Sequence, residues 1–338
     1  VGSEMCMRDW ELDFAQGARP AVPARQMSSR TVVCMLGPTA TGKTDIAISL
    51  CKRFPFEIVS VDSALVYRGM NIGSAKPDAE TLRRAPHRLV DIRDPEDSYS
   101  AGDFVRDAHA AIAEIHRAGR IPLLAGGTML YFRALLEGMA DLPSASADLR
   151  EAIDEDAMRI GWPAMHARLR EIDPAAAARI EPRDKQRIQR ALEVYMKSGR
   201  TLTDLQQSAA ATASDCSYLK IALNVTDRAE LHARIERRLE LMIASGFVEE
   251  VQMLMSRPGL DRNSPAMRAV GYRQYWSYLA GDYDAEEAFR RSLYATRQLA
   301  KRQVTWLRKL AQDFTVDPLE VPAADTISGF LGRALARK

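Results

Sequence analysis

Thr31-Val-Val-Cys-Met-Leu-Gly37-Pro38-Thr39-Ala40-Thr41-Gly42-Lys43-Thr44 decides the fold. Thr31 to Leu36 is apolar and β-branched, the mark of a buried strand. A glycine-containing turn follows, then a run from Asp45 to Arg53 with helical spacing. Residues 37–44 fit the pattern G-x-x-x-x-G-K-[ST]. The glycines let backbone N–H groups close on phosphate oxygens. The helix behind them aims its positive end at the same anion. Lys43 brings charge to the terminal phosphates, and the Thr44 hydroxyl can ligate Mg²⁺. All eight residues, Gly37 to Thr44, are therefore candidate diphosphate-binding residues.

Working outward, strands alternate with helices. Glu57 to Asp62 predicts a second strand and His87 to Ile92 a third. Ser100-Ala-Gly-Asp103 predicts a capping box opening a helix whose apolar face is Phe104, Ala108, Ile112 and Ile115. Gly119 ends that helix, and Ile121 to Ala125 is the next strand, followed by Gly126-Gly127-Thr128 and a helix from Met129 to Leu136. Such alternation predicts an α/β fold, a parallel sheet flanked by helices. After about Pro143 the pattern is helical to about Gln207. Tyr218 to Asn224 is a late strand that can rejoin the sheet, and Thr226 to Glu230 cap a long helix stopped by Gly246. The expected organisation is a first core part at 29–142, a helical insert at 143–213, and core completion with a helical part at 214–316. The tail, 317–338, is expected to be weakly structured. Residues 1–28 are polar and aperiodic, which predicts a disordered extension, with Met27 a candidate start.

The chain has 338 residues, 46% hydrophobic and 27% charged, enough for a sizeable core. Its four cysteines, Cys6, Cys34, Cys51 and Cys216, are scattered. Neither a disulfide framework nor a thiolate metal site follows, and a reduced cytoplasmic setting is expected. No run approaches the roughly 18 apolar residues of a membrane span. The net charge of +2 hides a polarised distribution. Residues 183–200 hold six basic and two acidic residues, and residues 262–309 hold ten and four. Local basic clusters of this kind are the footprint of a nucleic-acid face.

The phosphate pattern does not fix the reaction. A nucleotide hydrolase normally ends another strand in a metal-holding Asp. The Ile121–Ala125 strand runs instead into Gly-Gly-Thr. Asp62 does end the second strand, at the sheet edge where ligands of open α/β folds collect. A carboxylate there suits a base acting on an acceptor, although a turn or cap role would also explain it. An N-cap role would equally explain Thr128. A kinase moving the γ-phosphoryl of ATP to an acceptor activated by Asp62 is one reading. A transferase that holds a diphosphate as leaving group is another. A third is an RNA-binding protein regulated by its nucleotide loop.

Further motifs occur in order along the chain: Asp62-Ser-Ala-Leu-Val-Tyr-Arg-Gly-Met-Asn-Ile-Gly-Ser-Ala-Lys-Pro77, His87-Arg-Leu-Val-Asp-Ile92, Gly126-Gly-Thr-Met-Leu-Tyr131 and Gln186-Arg-Ile-Gln-Arg-Ala-Leu-Glu-Val-Tyr195. Arg234-Ile-Glu-Arg-Arg238, Gly246-Phe-Val-Glu-Glu-Val251, Ala269-Val-Gly-Tyr-Arg-Gln274 and Ala295 to Arg308 follow. With the phosphate loop, this ordered set resembles the tRNA dimethylallyltransferase (tRNA isopentenyltransferase) family from about Thr31 to about Phe314. Leu65 stands where that family often has Gln, and Asn71 and Ser74 where Asp and Thr are common.

The resemblance implies transfer of the five-carbon group of dimethylallyl diphosphate to N6 of the adenine 3′ of the anticodon (tRNA position 37). It implies that Asp62 is the general base and that Thr128 bonds near it. Lys43 with Arg234 or Arg238 would neutralise the departing diphosphate, with Mg²⁺ near Thr44. It implies tRNA contacts at Asp62, Ser63, Ala64 and Leu65, at Thr128 and Arg150, and at Gln186, Arg187, Ile188, Gln189 and Arg190. Further contacts would be Met267, Arg268, Ala269, Val270, Gly271 and Tyr272, then Lys301, Arg302, Gln303, Val304, Thr305, Trp306, Leu307 and Arg308. The expected partners are the anticodon stem-loop of tRNA and dimethylallyl diphosphate, with no membrane and a monomeric chain. The target adenine would have to leave its stack to reach a pocket, and single-stranded loops are read by base edges and stacking.

Overall fold

The computed structural model describes residues 30–138, 140, 142–143, 146–209 and 215–336. The extension read at 1–28 lies outside them. The core is a six-stranded, wholly parallel sheet in the order β3-β2-β4-β1-β5-β6. Its strands are β1 (Thr31–Leu36), β2 (Phe56–Val61), β3 (His87–Arg88), β4 (Ile121–Gly126), β5 (Ser217–Leu223) and β6 (Phe314–Val316). Strand β1 is central, with all six residues buried.

Alternate residues of each strand feed two cores, as a period of two requires. Val32, Cys34 and Leu36 point into the larger core, which is closed by α3 (Ala101–Arg117), α4 (Met129–Glu137), α10 (Arg228–Ala244), α11 (Phe247–Met255), α12 (Tyr272–Leu279) and α13 (Ala285–Leu307). Val33 and Met35 point into the smaller one, against α1 (Lys43–Cys51) and α14 (Ala323–Ala336). A short α2 (Ala79–Arg84) precedes β3. The expected capping box opens α3: Ser100 Oγ accepts from Asp103 N at 3.1 Å, and Asp103 Oδ2 accepts from Ser100 N at 3.0 Å.

The helices read after Pro143 are α5 (Ala147–Ile160), α6 (Trp162–Ile172), α7 (Pro174–Ala177), α8 (Lys185–Ser198) and α9 (Leu202–Ala209). They carry a core of their own around Ile153, Met165, Leu169, Ile188 and Leu192. Glu193 on α8, with a fully buried side chain, ties this unit together. It accepts from Ser146 N, Arg150 and Arg190. Burial alone would raise its carboxyl pKa, but these donors hold it below the usual range.

Two expectations are corrected. The tail is not weakly structured: α14 covers the sheet, with Ile327 and Leu331 fully buried and Phe330 stacked on Phe314 at 4.4 Å. Its apolar residues recur at Ala323, Ile327, Phe330 and Leu331, a helical period that a polar, proline-containing lead-in concealed. The third strand is two residues long rather than six, because Leu89 and Asp91 take left-handed backbone (φ 62° and 55°) and turn the chain away. Strand β6 was not anticipated.

A second buried carboxylate fixes the loop after β2. Glu250 on α11 accepts from the backbone N–H groups of Asn71, Ile72 and Gly73 at 2.8–3.1 Å and from the Tyr272 hydroxyl at 2.6 Å. Gly73 is required beside it, since a Cβ there would lie 2.1 Å from Phe247.

Ile327→Ala tests the helical tail. It should cost about 2–5 kcal/mol, the range for emptying a buried aliphatic site, read as a lower urea midpoint. An unchanged midpoint would show that α14 adds nothing to the core.

Candidate active site

Sheet register brings three strand ends together. Leu36 of β1 and Val61 of β2 both flank Gly126 of β4. No side chain is tolerated at 126, because a Cβ would lie 2.0 Å from the Val61 carbonyl oxygen. The residues that leave these ends are the phosphate loop, Asp62 and Thr128.

The loop runs from Gly37 to Gly42 and opens α1. Ala40 (φ 63°) and Gly42 (φ 77°) are both left-handed, which curls successive N–H groups inward as an anion-binding nest. Non-glycine residues seldom take this conformation, so the curl at Ala40 is a strained feature that the motif did not reveal. Thr41 Oγ1 donates to the Pro38 carbonyl at 2.8 Å and steadies the curl. The first N–H groups of α1 have no intrahelical acceptor and face the same hollow.

Three cations line it. Lys43 Nζ donates to the Pro38 carbonyl at 2.5 Å. Arg234 Nε donates to the Ala40 carbonyl at 2.9 Å, and Arg238 Nη1 donates to Thr39 Oγ1 at 3.4 Å. The sequence left open which arginine turns inward. Both do, because their i, i+4 spacing puts them on one face of α10, which Leu231, Ile235 and Leu239 dock onto the core. Desolvation and the neighbouring Arg238 bring the Lys43 ammonium down to about 7, while Asp62 acts the other way. Burial also lowers Arg238, again opposed by Asp62.

Asp62 is half-buried. Its Oδ1 accepts from Ala64 N at 2.8 Å and Leu65 N at 3.4 Å, so the carboxylate is held in an Asx turn. Among the described residues Oδ2 takes no protein hydrogen bond. Thr128 starts α4 without capping it through its side chain. Its hydroxyl instead accepts from Ser63 N at 3.0 Å, crossing from β4 to the segment that carries Asp62. The sequence expected Thr128 near Asp62. The geometry places it one residue on, against Ser63.

The expected RNA contacts divide by burial. Arg268, Lys301, Arg302, Thr305, Trp306 and Arg308 are exposed, with Arg133 lying over the Trp306 ring at 5.4 Å. Gln186 and Arg187 are also exposed, on the insert. Ile188, Met267, Tyr272 and Leu307 are buried, so their side chains cannot stack on or read a base. Arg150 and Arg190 are engaged by Glu193, and Gln189 by Asp154. Gln303 is buried and faces the loop, not solvent. The sequence reading also missed a groove of about 700 Å³ between α12 and α13, lined by Arg273, Tyr294, Gln298 and Arg302 among others. Within it Arg290 and Arg291 pair with Glu287. Arg273 and Arg302 have no ion-pair partner among the described residues.

Among the described residues there is no cluster of three or more His, Cys, Asp or Glu suited to a metal. Mg²⁺ is commonly held by substrate phosphates with only one or two protein groups. The exposed Thr44 at the head of α1 fits that limited role.

Such a site defines a class: a parallel α/β protein with a cation-lined, left-handed loop of phosphate-cradle sequence at the carboxyl edge of its sheet and a carboxylate set beside it. Comparison with known proteins then gives the family. The chain belongs to the IPP transferase family, whose model matches residues 65–310. It is 54% identical over 305 residues to a tRNA dimethylallyltransferase of Thiobacillus denitrificans, taking in 89% of this chain and 97% of that one. It is 54% identical over 297 residues to one from Paraburkholderia xenovorans, across 86% and 94% of the two. Among solved structures, the full-length tRNA isopentenylpyrophosphate transferase from Bacillus halodurans is 36% identical, with a TM-score of 0.67 over 91% of this chain and 97% of that one. A eukaryotic dimethylallyltransferase solved acting on tRNA is 25% identical, with a TM-score of 0.72 over 86% and 74%. No helix among the described residues is long and apolar enough to cross a membrane.

The depressed Lys43 gives a pH prediction. Above pH 7 the free protein holds Lys43 increasingly neutral. A bound diphosphate raises the pKa again, so binding takes up a proton. Affinity should therefore fall as pH rises from about 7 to 9, by at most about tenfold per pH unit. Isothermal titration of diphosphate into wild type and Lys43→Arg checks this. The arginine variant stays charged and should show the flatter profile. Equal profiles would contradict the assignment.

Proposed function

We propose that this chain transfers the dimethylallyl group of dimethylallyl diphosphate to N6 of the adenine immediately 3′ of the tRNA anticodon. The observation that carries the reading is the convergence of Asp62 with a three-cation phosphate cradle at one sheet edge. A kinase or hydrolase needs a cradle too, but the relatives at 54% identity carry the transferase name.

In the reaction a bond forms between C1 of the dimethylallyl group and the adenine nitrogen. The bond from C1 to the ester oxygen that links it to the diphosphate breaks, and its electron pair leaves with the diphosphate. Lys43, Arg234, Arg238 and the loop N–H groups stabilise the charge gathering on that leaving group. An exocyclic amine is a weak nucleophile. Asp62 takes its proton as the C–N bond forms, and the open Oδ2 is the atom to receive it. Oδ1, tied down by the Ala64 and Leu65 N–H groups, fixes the direction in which Oδ2 faces. Thr128 holds the Ser63 backbone, and with it the Asp62 turn, against β4. When bound, Mg²⁺ at Thr44 would add charge neutralisation on the diphosphate.

The substrate RNA would lie along α12 and α13. Arg273, Lys301, Arg302 and Arg308 offer phosphate contacts. Trp306, exposed and already stacked on Arg133, offers a base a platform. Arg302→Ala should weaken RNA binding and reduce the slope of log affinity against log salt by about one. An unchanged slope would remove Arg302 from the phosphate contacts.

The reading is tested by incubating the protein with labelled dimethylallyl diphosphate, Mg²⁺ and unmodified tRNA. Label should appear on RNA. Asp62→Asn should lower the single-turnover rate by about 10²–10⁴-fold, the usual share of general base catalysis, with RNA affinity little changed. Lost RNA binding with intact single-turnover chemistry would overturn the role of Asp62. Label moving from γ-labelled ATP to a small acceptor would overturn the reaction.

A further inference from the structure

Gln303 is the one side chain that bonds both to the phosphate loop and to the β4–α4 turn among the described residues. It sits on α13 with only 7% of its surface exposed. Its Oε1 accepts from Thr39 N at 2.9 Å, and its Nε2 donates to the Gly127 carbonyl at 2.8 Å. Both amide functions are therefore used, in a buried setting where neither has water as a substitute partner. The space it fills is reserved for it: a Cβ on Gly127 would stand 2.6 Å from Nε2. Its neighbours Lys301 and Arg302 face solvent. One helix thus shows cations outward and this amide inward.

The two bonds have different consequences. Thr39 comes immediately before Ala40, whose left-handed backbone curls the loop, and its side chain accepts from Arg238. Holding the Thr39 N–H on Oε1 sets where the curl begins. Gly127 comes immediately before Thr128, whose hydroxyl anchors the Ser63 backbone beside Asp62. Holding the Gly127 carbonyl on Nε2 sets where that hydroxyl stands. The cradle and the base are carried by different strands, and Gln303 spans them.

Resting on the reading above, we propose that Gln303 is a positioning residue that fixes the distance between the diphosphate cradle and the Asp62–Thr128 side of the site, and that it does not contact RNA. Methionine matches glutamine in length and volume but makes neither hydrogen bond. Gln303→Met should lower kcat for prenyl transfer by about tenfold to a hundredfold, the cost of displacing reacting groups by about an ångström. The KM and Kd for tRNA should stay within about twofold. Hydrogen exchange at the Thr39 amide of the ligand-free protein should be about tenfold faster than in wild type, because its acceptor is gone. That second readout needs no activity, so it tests the clamp even if wild type transfers no prenyl group. An RNA KM that rises while kcat at saturation is retained would return Gln303 to the RNA contacts and overturn the proposal. Unchanged kcat, or unchanged exchange at Thr39, would overturn it as well. Should Gln303→Met not fold, Gln303→Asn retracts the same amide by one carbon and carries the same three readouts.

Discussion

The close parallel pairing of β4 with β2 and β1 at Gly126 is the constraint on which the site depends. It leaves no room for a side chain at 126, where a single methyl would collide with the Val61 carbonyl. With it, the chain leaves β1, β2 and β4 at one level of the sheet. The phosphate loop, Asp62 and Thr128 begin within one or two residues of those exits. Hydrogen bonds then refine what register roughly positions. Thr128 reaches Ser63, Asp62 closes its own turn, and Gln303 spans the loop and the β4 exit.

Electrostatics acts in the same small volume. Lys43, Arg234 and Arg238 all turn toward the loop, onto the Pro38 and Ala40 carbonyls and Thr39. Burial first, and then the neighbouring Arg238, depress the Lys43 ammonium. Asp62 partly compensates, so the base and the cradle are coupled before any substrate arrives. A diphosphate placed there would offset the positive charge of Arg238 and favour the charged form of Lys43. On the proposed reaction these groups would meet the diphosphate already in place, the condition for efficient stabilisation of a leaving group.

Much of this was legible in the sequence. Glycine spacing gave the cradle, a β-branched run the central strand, and Ser100 with Asp103 the start of α3. The basic tracts gave the exposed face of α13. What was not legible needed the third dimension. Gln303 lies in a run of Lys, Arg and Gln that reads as one polar face, and only the helix turn separates inward Gln303 from outward Arg302. No local pattern marks Glu193 and Glu250 as buried, yet each is a buried acceptor for groups distant in sequence. Strand β3 is shorter than its apolar run suggests because left-handed Leu89 and Asp91 carry no glycine signal. Strand β6 is three residues long, below what periodicity can detect, and α14 was lost behind a polar approach. Tyr272 was expected to contact RNA, but its hydroxyl donates to Glu250 inside the core.

On the proposed reaction, the leaving diphosphate and the receiving carboxylate oxygen face each other across one sheet edge. A crystal structure of the chain with Mg²⁺ and diphosphate tests it most directly. The anion should lie on the N–H groups at the head of α1, touched by Lys43 and Arg238, with Asp62 Oδ2 open toward the side from which an acceptor enters. An anion bound away from residues 37–44, or a carboxylate turned out of the hollow, would contradict it.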